Sequence, residues 1–300
     1  VDLSKLNDKE AAEKVREAKL DIAIDFSGYT GDGRMKIFSY RIAPIQIIYL
    51  DFVGTTGSNC IDYIIADKQI IPDKYKHFYS EKIINLPHSM QCNDDTIKKS
   101  DKEFCREELG LPENGFIFCN FGKTYKIMPK EFDIWMKLLH KVKDSVLWLY
   151  ESNDLANANL LAEAEKREIP SSRIIFAPRV PLDIHMSRQK CADLFLDTFN
   201  QNSGVMTFLA LKCDLPVLTL AGKSMIARLS SSILNSLGLQ ELITTNVEDY
   251  KKVAYELATN TKKYNSLKYD LSTLQLTSPY FNSEIFTRNL EKELEKLLSG

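Results

Sequence analysis

The sequence predicts an α/β protein built on parallel sheets, and three observations carry that expectation. Short apolar runs alternate with amphipathic segments along most of the chain, the pattern of strands joined by helical crossovers. The stretch from Ala192 to Gly222 shows the unit most clearly. Its apolar runs 194–196 and 217–220 flank a segment in which Val205, Phe208, Leu209 and Leu211 recur at helical spacing, a βαβ pattern that belongs in a parallel sheet. Finally, 300 residues exceed the usual size of a single core, so two domains are expected.

Taken in order, residues 8–18 read as a charged helix with Ala and Val on one face, and 20–26 as a buried strand. The turn Gly28-Tyr29-Thr30-Gly31-Asp32-Gly33 follows, at the sheet edge where open α/β folds meet ligands. Its spacing is not the GxGxxG fingerprint, and a plain strand-to-helix turn is the alternative. A helix around 34–42, strands at 44–50, 62–67 and 82–86, and the turn Gly54-Thr55-Thr56-Gly57 continue the alternation. His88 stands just past the last of these strands, a position open to a site or to simple packing. Residues 89–114 are polar and charged, with 98–110 expected to be helical. This shift in composition marks a boundary between a first lobe at 1–105 and a second at 106–300.

The second lobe repeats the alternation. Strands at 116–121, 146–150, 173–177, 194–196 and 217–220 are separated by helices around 129–142, 154–167, 183–190 and the segment after 204, which predicts a doubly wound sheet. The tail is helical at 224–237, 246–259, 261–272 and 281–298, the last amphipathic with Asn282 or Ser283 as its N-cap.

Composition narrows the function classes. Lys and Arg total 39 against 41 Asp and Glu, a formal charge of −2 without long runs of one sign, which disfavours a broad nucleic-acid or anionic-membrane surface. Six scattered cysteines without a CxxC pair suggest a reducing compartment and no structural zinc. No apolar stretch reaches membrane-span length and the first residues do not read as a signal peptide, so a cytoplasmic protein is expected. The chain starts at Val1 rather than Met, as a fragment or processed product would.

Candidate chemistry gathers at the predicted strand ends. Asn200, Gln201, Asn202, Ser203 and Gly204 form a polar loop at a helix N-terminus, where free backbone N–H groups could hold phosphate; ordinary capping is the alternative. Lys123 and Lys126 follow strand 116–121 and would present ammonium groups at the same edge. His185 and Arg188, at i and i+3, share a helix face. The chain lacks a GxSxG elbow, HExxH and a Walker loop, which leaves metal-free binding of a diphosphate as the expected environment. Carboxylates for proton transfer are few there, chiefly Asp32 and Asp197, which weakens an epimerase reading.

The segments LDIAIDFSGYTGDGR, RIAPIQIIYLDFVGTTG, DYIIAD, CNFGKTYKIMP, SVLWL, RIIFAPRVP, ADLFLDT and LPVLTLAGKSMIARLSSSIL together resemble the catalytic region of the protein O-linked N-acetylglucosamine transferases and their SPINDLY-type relatives. The resemblance implies a GT-B fold, two Rossmann-like domains facing across a cleft with the last helix crossing back to the first. It implies inverting, metal-independent transfer of N-acetylglucosamine, or fucose in the SPINDLY branch, from a nucleotide diphosphate sugar to Ser or Thr of an acceptor protein or peptide, with no cofactor. Lys126 matches the lysine that holds the donor diphosphate, and His185 and Arg188 match an HxxR pattern near the nucleotide. Val180 and Pro181 fall where backbone reads the base. Tyr125 and the loop Gly28, Tyr29 and Thr30 match positions at the reacting end.

Two departures stand out. Gly204, Val205 and Met206 occupy the place of a usual His-Thr-Thr, keeping the backbone donors and losing the hydroxyls. Leu209 replaces an acidic residue that holds the ribose. Lys123 stands where a neutral amide is common and adds charge beside Lys126. The family's upstream histidine loop and tetratricopeptide repeats lie outside these residues. A non-catalytic relative serving as scaffold or partner subunit is therefore the competing expectation.

Overall fold

A computed structural model describes residues 1–299. They form two compact units, the first of residues 1–92 and 224–226 with the tail from Asn282 on, the second of residues 93–223 and 227–281.

The first unit opens with α1 (Asp8–Arg16), capped by Asn7, whose side chain accepts from the backbone of Lys9 and Glu10 while Glu10 reaches back to the Asn7 N–H. This reciprocal cap satisfies helix-end donors that would otherwise have no partner. Four parallel strands follow: β1 (Ile22–Asp25), β2 (Ile45–Ile48), β3 (Tyr63–Asp67) and β4 (Lys82–Leu86), in the order β1-β2-β3-β4. Ile47, Ile48, Ile64 and Ile65 at their centre are buried. Between β1 and β2, helix α2 (Met35–Ser39) is shorter than the expected 34–42. Arg41 takes a left-handed φ of 57° and the Ile42 N–H donates to Gln46 Oε1, so the chain turns into β2 instead of extending the helix.

The second unit holds β5 (Ile117–Asn120), α3 (Pro129–Lys141), β6 (Val146–Tyr150), α4 (Asp154–Glu165), β7 (Ile174–Ala177), α5 (Leu182–Arg188), β8 (Leu194–Leu196), α6 (Gly204–Leu211), β9 (Val217–Leu220), α7 (Leu229–Ser236), β10 (Ile243–Thr244), α8 (Val247–Thr259) and α9 (Thr261–Thr277). Its strands pair in parallel in the order β10-β9-β8-β5-β6-β7. Strand order therefore reverses between β5 and β8, the doubly wound arrangement, whose reversal point leaves a crevice at the carboxyl ends of those two strands. Trp135, Trp148, Phe118, Phe195 and Tyr250 fill the core.

Several expectations change. Residues 98–110 form only a single 3₁₀ turn, Glu107–Leu109, because their polar groups bond to the second unit. The Ser100 N–H donates to the Asp183 carbonyl, Ser187 Oγ to the Ser100 carbonyl, and Arg106 pairs with Asp193 at 2.8 Å. The units accordingly divide between Cys92 and Asn93, ahead of the 105/106 boundary. The helix expected over 224–237 is a 3₁₀ turn, Met225–Arg228, followed by α7. Two-residue β10 carried too little pattern to be seen in sequence. Val205 is 65% exposed, so the buried face of α6 is Phe208, Leu209, Ala210 and Leu211 rather than a stripe that includes it.

The last helix, α10 (Ser283–Ser299), belongs to the first unit and packs near β4. Asn282 caps it, accepting from the Ile285 N–H at 2.9 Å. Among the described residues no helix is long and apolar enough to cross a membrane.

Candidate functional site

The reversal point between β5 and β8 is closed by two buried side chains, one at each strand end. Asn120 donates from Nδ2 to the Leu196 carbonyl at 2.7 Å and accepts the Gly122 N–H on Oδ1 at 2.9 Å, clipping the strands together and turning the β5 loop. Asp197 accepts the N–H groups of Thr198 and Ser203 on Oδ1 at 3.0 and 2.9 Å, and the Thr219 hydroxyl on Oδ2 at 2.8 Å. Burial pushes its carboxyl up to about 6 against the lowering effect of hydrogen bonds from Ser230, Thr219 and Ser203. The two loops meet at Gly122. A Cβ there would lie 3.0 Å from Asn120 Oδ1 and 3.1 Å from Ser203 Oγ.

Lys126 ends a 3₁₀ turn, Thr124–Lys126, and its ammonium donates to the Asn202 carbonyl at 3.4 Å. Burial lowers its pKa; the Asp197 carboxylate opposes that shift and the Lys123 charge adds to it. Lys123 and Tyr125 are exposed. Across the crevice, Asn202, Ser203 and Gly204 are buried, Val205 is exposed and Met206 half-buried. Asn202 donates from Nδ2 to the Thr198 carbonyl at 2.8 Å. The first intrahelical bond of α6 runs from the Thr207 N–H to the Ser203 carbonyl, so the N–H groups of Gly204, Val205 and Met206 precede it. They are the donors a helix start offers to an anion.

On α5, Arg188 donates to His185 Nδ1 from Nε and Nη2 at 3.2 and 3.0 Å, and from Nη1 to the Pro178 carbonyl at 2.8 Å. Both side chains are buried. Phe121, next along from Asn120, packs its ring edge-on to His185 with centroids 5.0 Å apart, and the guanidinium lies over the rings of Phe121 and Trp148. Burial first and the Arg188 charge second hold the imidazole down at about 4, so it is neutral at neutral pH. With Nδ1 accepting, Nε2 carries the proton, and it has no partner among the described residues. Val180 and Pro181 lead into this helix, the Pro181 carbonyl accepting the His185 N–H.

The structure thus brings Lys126, Asn202, Ser203 and Gly204 to one reversal point, with His185 and Arg188 linked to it through Phe121. Gly28, Tyr29 and Thr30 belong to the first unit. There Gly28 turns with a φ of +53°, Tyr29 donates its hydroxyl to the Thr56 carbonyl at 3.0 Å and packs on Phe52, and Thr30 bonds back to the Ser27 carbonyl. Asp32 is exposed and His88 half-buried. Sequence reasoning missed Asn120, Phe121 and Gly122, although a buried amide followed by glycine at a strand end was the available signal. Among the described residues no group of three or more His, Cys, Asp or Glu could hold a metal ion.

Residues 1–100 and 97–290 match the model for glycosyl transferase family 41. The chain belongs to glycosyl transferase family 41. This family 41 chain is 32% identical over 303 residues to the Probable UDP-N-acetylglucosamine--peptide N-acetylglucosaminyltransferase SEC of Arabidopsis thaliana, covering 99% of itself and 31% of that protein. It is 28% identical over 295 residues to the SPINDLY protein of Petunia hybrida that bears the same enzyme description, again covering 31% of it. The chain therefore spans under a third of the curated relatives it matches. A mutant O-GlcNAc transferase of Thermobaculum terrenum superposes with a TM-score of 0.87 at 26% identity, over 99% of this chain and 56% of that one. Two parallel sheets flanked by helices match the GT-B-type fold of that structure.

Proposed function

We propose that this chain is the donor-binding part of a glycosyltransferase that moves N-acetylglucosamine, or a related sugar, from a UDP-sugar to Ser or Thr hydroxyls of an acceptor protein or peptide, with inversion and without a metal. The observation that carries the reading is the pairing of the Lys126 ammonium with the start of α6 at the reversal point of the second sheet. A diphosphate seated there would meet one full positive charge and up to three backbone donors. Charge that develops as the sugar leaves would be held by groups already in place. Neutral His185, linked to this point through Phe121, keeps an Nε2–H donor in the tautomer that Arg188 fixes. Lys123 supplies further positive potential, while Val180 and Pro181 supply backbone for the base. The roles of Tyr125 and of Gly28, Tyr29 and Thr30 at the reacting end are part of the same proposal. So are upstream tetratricopeptide repeats and a cytoplasmic setting, the latter supported by six unpaired cysteines.

A second reading, a non-catalytic scaffold or partner subunit, is favoured by one feature. Leu209 is 4% exposed and part of the core, so α6 offers a ribose no acidic side chain there, and Gly204, Val205 and Met206 add no hydroxyl.

Calorimetry with UDP and UDP-N-acetylglucosamine, alongside Lys126→Ala, separates the two. Micromolar binding that weakens at least about tenfold in the variant supports the donor site, since a charge-assisted contact contributes about 1.5–3 kcal/mol. No binding at millimolar nucleotide leaves the scaffold reading.

A further inference from the structure

We infer that Asp197 is a positioning residue that sets the start of α6, and with it the donors aimed at the nucleotide. The inference rests on the donor-site reading and deepens it. Asp197 touches no ligand position itself, being fully buried at the end of β8. Its two oxygens divide their tasks. Oδ1 gathers the N–H groups of Thr198 and Ser203, the two ends of the loop that leads into α6. Oδ2 faces the other way and holds the Thr219 hydroxyl on β9.

Ser203 is the residue whose carbonyl receives the first intrahelical bond of α6, so the Oδ1 contact fixes where the helix begins. Asn202, one residue earlier, carries the carbonyl that Lys126 reaches. One carboxylate oxygen therefore fixes both the free N–H groups of Gly204, Val205 and Met206 and the anchor of the ammonium opposite them. Asn120 performs the matching task for the β5 loop through Gly122. Preorganised donors gain their effect from being held in place before the ligand arrives. Loss of the Oδ1 contact should let this loop relax and weaken anion binding even though no ligand-contacting atom is changed.

The two oxygens can be separated by mutation. Asp197→Asn keeps an acceptor oxygen for the two N–H groups, Asp197→Ala keeps none, and Thr219→Val removes only the β9 contact. UDP affinity is measured by calorimetry for each variant and the parent chain, with circular dichroism and thermal melts to follow folding. The expected result is that Asp197→Ala loses about tenfold or more in affinity, Asp197→Asn recovers most of it, and Thr219→Val lowers the melting temperature while binding UDP like the parent. A role in stability alone would make affinity follow melting temperature, and Thr219→Val would then weaken with the others; that result overturns the inference. It is also overturned if folded Asp197→Ala binds UDP like the parent, or if Asp197→Asn fails to recover affinity. Should Asp197→Ala not fold, the two other variants decide: clearly weakened UDP binding in folded Asp197→Asn or in folded Thr219→Val overturns the assignment to Oδ1. If the parent chain itself binds no UDP, the donor-site reading falls and the inference falls with it, an outcome distinct from failure in the variants alone.

Discussion

Arg188 and His185 are locked together. The guanidinium donates twice to one ring nitrogen, Nδ1, at 3.2 and 3.0 Å, leaving Nε2 as the protonated nitrogen. A second proton would have to enter at Nδ1, against the guanidinium and in a buried site.

His185 should accordingly titrate at about 4 rather than at the ordinary 6.5. Between those values the unfolded chain holds the proton and the folded chain does not. Stability from this residue is therefore complete above about 6.5 and is lost as pH falls toward 4. Asp197 runs the other way, its raised value of about 6 making its contribution fullest below the ordinary 3.8 and lost as pH rises through about 6. The two oppose each other between about 4 and 6, so a global stability curve would hide both. Imidazole resonances followed by NMR should show one histidine still neutral at pH 5, absent from His185→Phe; a value near 6.5 would contradict the locked pair.

Gly122→Ala should bring a Cβ to 3.0 Å from Asn120 Oδ1 and 3.1 Å from Ser203 Oγ. The neighbours must give by a few tenths of an ångström, at a cost of about 1 kcal/mol. Because what gives is the two loops of the site, UDP binding should weaken by about threefold to tenfold, read by calorimetry beside a denaturant titration. Unchanged affinity would mean that the loops are not held at this distance.

Gly28→Ala should be more damaging to the first unit. Its φ of +53° disfavours any side chain, and a Cβ would stand 2.5 Å from the Phe52 Cβ. A loss of about 2 kcal/mol is expected. Thermal unfolding measures it, and an unaltered melting temperature would argue against the left-handed turn.

Glu81 provides a pH test in the same unit. It accepts from the Thr56 N–H at 2.6 Å, the Thr55 hydroxyl at 2.7 Å and the Thr56 hydroxyl. Burial would raise its carboxyl, but the Thr56 and Thr55 bonds outweigh burial and hold it below the ordinary 4.5. The stabilisation is present above that value and lost as pH falls through the lower folded one. Chemical denaturation should show Glu81→Gln less stable than the parent at pH 7, with the gap closing on acidification below the ordinary 4.5. A gap independent of pH would contradict the role of the ionised carboxylate.

The alternation of apolar runs and amphipathic helices was enough to read an α/β chain, because side-chain periodicity reports local structure directly. The pair His185 and Arg188 was legible for the same reason, since residues three apart meet on a helix. Even the helical tail and its Asn282 cap follow from local pattern and capping chemistry. Where the backbone pairs with distant residues, local pattern failed. Residues 98–110 have helical composition but bond to Asp183, Ser187 and Asp193 instead, and α2 stops where Arg41 turns the chain.

Local pattern specifies most of the elements and the polar and charged residues at their ends. Which ends meet was decided by the tertiary structure. The reversal of strand order between β5 and β8 follows from the order in which strands add to the sheet, and no periodicity encodes that. Through this adjacency the loops carrying Lys126 and Asn202 become neighbours. It also buries Asp197, whose charge is tolerable only because distant backbone and hydroxyl donors converge on it.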